Sequence, residues 1–251
     1  MIQLENLSLG YPSRLLLENI STRVRRGELT ALVGRNGTGK STLLRAIAGL
    51  GEILGGTIRI ADKPLHDIEA DTMAKSVAFV TTDKVRIANL RCRDVVALGR
   101  APYTNWIGRM QKEDQFIVEQ ALKSVGMLSY ADKTMDRMSD GECQRIMIAR
   151  ALAQQTPIIL LDEPTAFLDM PNRYELCTLL QRLAHEEDKC ILFSTHELDI
   201  AVSLCDSIAL IAPPKLHLLP TSDMVKSGYI EQLFSTDGLR IGEMIAGLRK
   251  E

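Results

Sequence analysis

The chain of 251 residues is long enough for one large domain, or for a core carrying a smaller insert, and too short for two equal independent domains. Its 45% hydrophobic and 25% charged residues, with 17 Gly and 9 Pro, describe a globular protein with a sizeable core and exclude a disordered or fibrous one. Thirty basic against 32 acidic residues leave a formal charge of -2, so no overall positive field draws the chain to nucleic acid or anionic lipid.

In chain order, Met1 to Ser8 carries Glu5 and no basic apolar leader, and no stretch of the sequence is apolar for long enough to span a membrane, which points to a soluble, cytoplasmic protein. Leu29 to Val33 is an apolar strand, Gly34 to Gly39 a Gly-rich loop, and Lys40 to Leu50 a helix with Leu43, Leu44 and Ile47 on one face. Between about Val85 and Gln155 the pattern turns to helices, Asp94 to Leu98 and Glu113 to Gly126, followed by the amphipathic run Cys143 to Ala153; this reads as an inserted helical subdomain. Two further apolar strands, Ile158 to Leu161 and Cys190 to Phe193, are separated by a helix at Asn172 to Glu186 and followed by one at Glu197 to Cys205. Short apolar strands alternating with helices predict an α/β fold with a mainly parallel sheet. Ile208 to Ala212 and Leu216 to Leu219, joined through Pro213-Pro214, predict a hairpin, and Ser222 to Glu251 reads as a polar, partly helical tail. The five cysteines, Cys92, Cys143, Cys177, Cys190 and Cys205, are odd in number and scattered, which predicts reduced, buried thiols. His66, His185 and His217 have no neighbours in sequence that suggest a site and read as solvated.

Three segments carry chemistry. Gly34-Arg35-Asn36-Gly37-Thr38-Gly39-Lys40-Ser41-Thr42 fits G-x-x-x-x-G-K-[ST] between a strand and a helix, the setting in which backbone N–H groups and a helix N-terminus cradle phosphates. Lys40 is expected on the β- and γ-phosphates and Ser41 on Mg²⁺. Asp162 and Glu163 end a buried strand, where an acid pair faces a nucleotide from the carboxyl edge of a sheet; Asp162 suits Mg²⁺ and Glu163 suits the base that polarises the attacking water. Ser139 and Glu142 have capping-box spacing, and a helix start of this kind with Gly141 leaves N–H groups and a hydroxyl to grip a phosphate of a second molecule.

Gly34 to Thr42, Met138 to Arg145, Ile158 to Thr165, Phe167-Leu168-Asp169 and Ser194-Thr195-His196 together resemble the ATP-binding subunit of an ABC transporter, over about residues 1 to 235. The resemblance implies a P-loop NTPase (ABC ATPase) core at 1–84 and 156–220 with an N-terminal antiparallel β subdomain, a helical signature subdomain at 85–155 and a C-terminal tail at 221–251. It implies ATP and Mg²⁺, and a homodimer in which two copies sandwich two ATP molecules head to tail, each phosphate loop facing the other copy's Ser139 to Gln144. A multi-span permease and, indirectly, an extracytoplasmic substrate-binding protein are the implied partners, with no nucleic acid, and the implied location is the cytoplasmic face of the cell membrane. Tyr11 falls where the family stacks an aromatic on adenine, Asp169 at its aspartate loop and His196 at its switch histidine, where it would hold the γ-phosphate, Glu163 and the water.

Two departures stand out. Where the family places a glutamine after the strand Val77 to Val80, this chain has Thr81-Thr82-Asp83; Thr82, at the expected position, reaches a metal only through water, which predicts altered catalysis or coupling, and Gln111 lies too far along to replace it. Met138 and Asp140 replace a usual leucine and glycine, while Ser139 and Gly141 are intact. The run Val95-Val96-Ala97-Leu98-Gly99-Arg100-Ala101-Pro102-Tyr103-Thr104 with Gly108 resembles the subgroup that powers uptake of iron–siderophore complexes, haem or vitamin B12, and is expected near the permease contact. Other ABC transporter ATPases and stand-alone ABC ATPases are the alternatives. A ribosome-acting ATPase would carry two cassettes, a DNA-repair ATPase a long coiled-coil insertion, and a P-loop kinase or GTPase would lack the Ser139 to Gly141 and Asp162-Glu163 pairing.

Overall fold

The computed structural model describes residues 1–83, 89–104 and 110–234. Gly108, the start of the insert at residues 85–88 and the 235–251 part of the tail lie outside the described residues.

Two sheets share the molecule. Strands β1 (Ile2–Tyr11), β2 (Arg14–Val24), β4 (Gly55–Ile60) and β5 (Lys63–Pro64) form an antiparallel sheet in the order β2-β1-β4-β5. β1 buries Ile2 and Leu4, then Leu7 and Leu9; each pair alternates as in a half-solvated strand, and a register shift between Leu4 and Leu7, where Asn6 takes φ 49°, accounts for the odd step. The second sheet takes β3 (Leu29–Gly34), β6 (Val77–Val80), β7 (Ile158–Leu161), β8 (Cys190–Thr195), β9 (Ser207–Ala212) and β10 (Lys215–Pro220) in the order β10-β9-β3-β8-β7-β6. All its neighbours are parallel except the β9–β10 edge hairpin, which turns at Pro213-Pro214. β3, β7 and β8 are buried at every residue, because helices cover one face of this sheet and α1 with the antiparallel sheet covers the other.

The helices are α1 (Lys40–Ile47), α2 (Ala70–Ser76), α3 (Cys92–Ala97), α4 (Lys112–Ser124), α5 (Asp140–Ala153), α6 (Met170–Glu186), α7 (Leu198–Leu204), α8 (Thr221–Lys226) and α9 (Tyr229–Phe234). One apolar cluster runs from Leu29 and Val33 in the sheet through Val96, Val118 and Ile146 in the helical insert; the other joins the antiparallel sheet to α1 and the far face of the parallel sheet. No helix among the described residues is long and apolar enough to cross a membrane.

Several boundaries differ from the periodicity. The first helix stops at Ile47 instead of Leu50, because Gly49 takes φ 73° and the Gly49 and Leu50 amides turn back to the Ala46 and Arg45 carbonyls. β8 continues two residues beyond Phe193, carrying Ser194 and Thr195 into the buried edge of the site. All five cysteines are buried thiols, and burial pushes those of Cys177 and Cys190 up to about 12. The histidines set aside as solvated are partly engaged: His217 stacks on Tyr229 with ring centroids 4.1 Å apart, and His185 Nε2 meets Asp206 at 2.9 Å.

Candidate active site

The carboxyl ends of β3, β8, β7 and β6 lie side by side, in register pairs Val33–Thr195, Leu161–Phe193 and Val80–Leu161. Parallel pairing therefore delivers the loop after β3, Ser194 to His196, Asp162-Glu163 and Thr82 to one sheet edge.

The loop after β3 is shaped by its glycines. Gly37 and Gly39 take φ 72° and 104°, left-handed values that side chains resist, and a Cβ on Gly34 would stand 2.8 Å from the Thr38 hydroxyl. The Lys40 ammonium is folded back on the loop, donating to the Gly34 and Arg35 carbonyls at 2.8 and 3.3 Å. Burial lowers its pKa, and the charges of Glu163 and Asp162 oppose that shift. α1 begins behind Gly39 with no side-chain cap and no acidic residue in its first turn, so its leading N–H groups are left for an anion. Ser41 is exposed at its start. Tyr11, 55% exposed, hydrogen-bonds the Thr42 hydroxyl at 3.2 Å, and Arg14 donates to the Gly37 carbonyl at 3.1 Å.

Opposite the loop, Asp162 is buried and its Oδ1 accepts from the Ser194 hydroxyl at 2.7 Å. Glu163 Oε1 meets His196 Nε2, and His196 Nδ1 lies 3.5 Å from the Lys40 ammonium. An ammonium only donates, so Nδ1 accepts and the imidazole carries its proton on Nε2, directed at Glu163. Lysine, histidine and glutamate thus form one line across the edge. Ser41 and Asp162 offer hard oxygen donors, the set that suits a small divalent cation held chiefly by phosphates and water. Among the described residues no cluster of three or more His, Cys, Asp or Glu forms a metal cage. The Thr82 hydroxyl donates its proton to the Asp162 carbonyl at 3.0 Å, leaving only lone pairs to offer a metal or its water.

The signature segment lies elsewhere on the chain. Ser139 caps α5 and forms the expected box with Glu142: the Ser139 amide and hydroxyl donate to Glu142 Oε2 at 2.8 and 2.9 Å, and the Glu142 amide donates to Ser139 Oγ at 3.3 Å. This corrects the expectation of a free hydroxyl, because the carboxylate three residues on is the nearest strong acceptor. Gly141 packs on the Asp169 loop, where a Cβ would stand 3.1 Å from both Leu168 Cδ2 and the Phe167 carbonyl. Asp169 itself is exposed and caps α6 through the Asn172 amide at 3.2 Å.

Sequence reasoning missed two contributors, Ser194 and Arg173. Ser194 stands in the Ser194-Thr195-His196 run that carries the resemblance, but its contact with Asp162, 32 residues away, is in no local pattern. Arg173, which donates to the Leu168 carbonyl at 2.7 Å and pairs with Glu197 beside His196, gave no signal. Within the Val95 to Thr104 run, Gly99 and Arg100 are buried against α4 and α5, so those two residues answer to packing inside the cassette, while Leu98 and Tyr103 keep exposed surface.

Residues 17–166 match the ABC transporter family. The chain is 37% identical over 246 residues, 98% of its length and 85% of the relative's, to an uncharacterized ABC transporter ATP-binding protein of Methanocaldococcus jannaschii. It is 35% identical over 197 residues, 78% of its length and 73% of the relative's, to the iron(3+)-hydroxamate import ATP-binding protein of Bacillus subtilis. It is 35% identical to the cobalamin import ATP-binding protein of Halobacterium salinarum over 86% of its own length and 54% of the relative's. Among solved structures, an inward-facing ABC transporter assigned to the metal-chelate type superposes with a TM-score of 0.82 at 27% identity, covering 93% of this chain and 88% of that one. A dimeric cassette in a post-hydrolysis state with ADP and Pi superposes with a TM-score of 0.77 at 26% identity, covering 88% and 99%. The P-loop architecture, the lysine–histidine–glutamate line and these likenesses agree: the chain belongs to the ABC transporter family, as an ATP-binding subunit that hydrolyses ATP.

Proposed function

We propose that this subunit energises the import of iron–siderophore complexes, or of haem or cobalamin, through a membrane-embedded permease on whose cytoplasmic side it docks. The observation that carries the hydrolytic part is the meeting of Glu163, His196 and Lys40 at one sheet edge. The relatives named for iron-hydroxamate and cobalamin import support the cargo class. A substrate-binding protein outside the membrane would deliver that cargo to the permease.

Two copies close head to tail on two ATP molecules, as the dimeric cassette with ADP and Pi supports. Tyr11 stacks on adenine, and the N–H groups from Gly34 to Thr42, with Arg35, Asn36, Gly37, Thr38 and Gly39 forming the loop, hold the phosphates. Lys40 exchanges its Gly34 and Arg35 carbonyls for phosphate oxygens, which neutralise it far better. Ser41 and Asp162 would hold Mg²⁺, with Thr82 reaching it through water, and the ion would screen phosphate charge. Glu163 takes a proton from the water that attacks the γ-phosphate, and His196 aligns Glu163 and the phosphate. Ser139, Gly141, Glu142 and Asp169 of the partner close the site from across the interface. Reopening after hydrolysis resets the permease. The core at 1–84 and 156–220, the signature subdomain at 85–155 and the tail from 221 divide this work.

The test is co-purification of the tagged chain from native membranes in mild detergent. A multi-span protein should accompany it, and an iron chelate with its binding protein should raise the ATPase rate of the complex. ATP hydrolysis by the chain alone, with no membrane partner in repeated preparations, would favour a stand-alone ATPase.

A further inference from the structure

The peptide between Asp162 and Glu163 is held at both ends by side-chain hydroxyls. Its carbonyl accepts from Thr82 Oγ1 at 3.0 Å, and its N–H donates to Ser194 Oγ at 2.8 Å. The Ser194 hydroxyl in turn donates to Asp162 Oδ1 at 2.7 Å, and the Asp162 amide donates to the Val80 carbonyl at 2.8 Å. The strand ends of β6 and β8 thus clasp the end of β7 from either side.

What the clasp holds is strained. Glu163 has φ 47°, in the left-handed region, where a Cβ crowds the following carbonyl oxygen. Such a conformation persists only where the surroundings over-determine it, and here it directs the Glu163 carboxylate onto His196 Nε2. If the peptide were released, relaxation to a right-handed or extended backbone would swing the carboxylate off that line. Thr82 has a single hydroxyl proton, and that proton is committed to the carbonyl next to Glu163.

We infer that Thr82 is a positioning residue for Glu163: with Ser194 it locks the Asp162–Glu163 peptide in the strained form that aims the carboxylate, so that in this cassette the residue after β6 acts on the base through the backbone. The inference rests on the proposed role of Glu163 as base.

The experiment compares Thr82→Val, Thr82→Ala and Thr82→Ser in the full-length protein, reading steady-state ATPase kinetics, the Mg²⁺ dependence and amide hydrogen exchange around Glu163. Losing one neutral hydrogen bond to a strained peptide should lower kcat about threefold to tenfold with KM for ATP nearly unchanged. Exchange at the Glu163 amide should quicken in Thr82→Val and Thr82→Ala, and Thr82→Ser should restore both readouts. Thr82→Ala needs no added volume, so it carries the test if the valine variant folds poorly. Unchanged kcat and exchange in the valine and alanine variants would overturn the inference, as would a kcat defect wholly cured by raising Mg²⁺ or a serine variant no better than valine. Glu163→Gln separates the two claims: if it hydrolyses ATP like the parent, the base assignment fails, while the exchange at its amide still reports the clasp.

Discussion

Gly99 lies so close to α5 that a Cβ on it would stand 2.2 Å from the Arg150 carbonyl oxygen and 3.2 Å from the Ala153 side chain. The neighbouring atom is backbone in the last turn of α5 and already accepts from the Gln154 amide, so it cannot move aside without breaking that turn. Gly99→Ala should therefore force the Leu98–Tyr103 turn that follows α3 away from α5 and cost about 1–3 kcal/mol, the range for overpacking a filled interior. A urea titration reads it as a lowered midpoint; a midpoint equal to the parent's would show that the two elements are free to separate.

The next residue closes the same junction. Arg100 and Asp114 pair at 2.9 Å with side chains 6% and 8% exposed, and Arg100 also donates to the Ala153 carbonyl at 2.8 Å and stacks 4.1 Å from the centre of the Tyr103 ring. Asp114 in turn accepts from the Gln111 amide at 2.9 Å, completing the capping box of α4. Asp114→Ala leaves a guanidinium buried without its carboxylate and removes the Asp114 half of the capping box, for a loss of about 3–5 kcal/mol. Chemical denaturation monitored by circular dichroism measures it, and a loss below about 1 kcal/mol would mean the pair behaves as a surface one.

Much of this molecule is legible in its residues and some of it is not, for identifiable reasons. Gly34 to Lys40, Asp162-Glu163 and the Ser139–Glu142 box are local patterns whose spacing is itself the geometry, so the sequence carries them whole. The order β10-β9-β3-β8-β7-β6 depends on pairings between strands far apart in the chain, and no local pattern states them. Thr82 shows why roles are harder than places: its position at the site edge follows from the strand before it, yet its partner, the Asp162 carbonyl, sits 80 residues away. Arg100 looked like part of a surface for another protein and is an interior ion pair, because Asp114 on the following helix supplies its counter-charge.

The acid limb of stability has a defined origin. The Gln111 amide, with help from Arg100, holds the Asp114 carboxyl below its usual range, and the Ser139 amide and hydroxyl do the same for Glu142. Both groups are depressed in the folded state, so the stability they contribute is complete at neutral pH. It stays until the pH drops below the unfolded carboxylate range, and is lost as the pH falls through the folded pKa values. Denaturation midpoints measured from pH 7 down to about pH 3 should fall less steeply in an Asp114→Asn, Glu142→Gln double variant than in the parent. Parallel curves would assign the acid limb to other groups.

Arg173 ties together two loops that the proposed mechanism needs in step. It donates to the Leu168 carbonyl beside Asp169 at 2.7 Å and pairs through its other arm with Glu197, which follows His196. Glu197 Oε2 is buried with no hydrogen-bond partner among the described residues, so the arginine is the main compensation for that carboxylate. With side chains 35% and 19% exposed, the pair lies between a surface and an interior one, and Arg173→Ala should cost about 1–2 kcal/mol. Adding Glu197→Gln to that variant removes the orphaned charge and should recover part of the loss, a coupling that a double-mutant cycle measures directly. If the arginine also keeps the Asp169 and His196 loops in register, the double variant should regain stability without regaining kcat. Recovery of both together would reduce Arg173 to a neutraliser of Glu197, and recovery of neither would show that the Leu168 contact alone carries its effect.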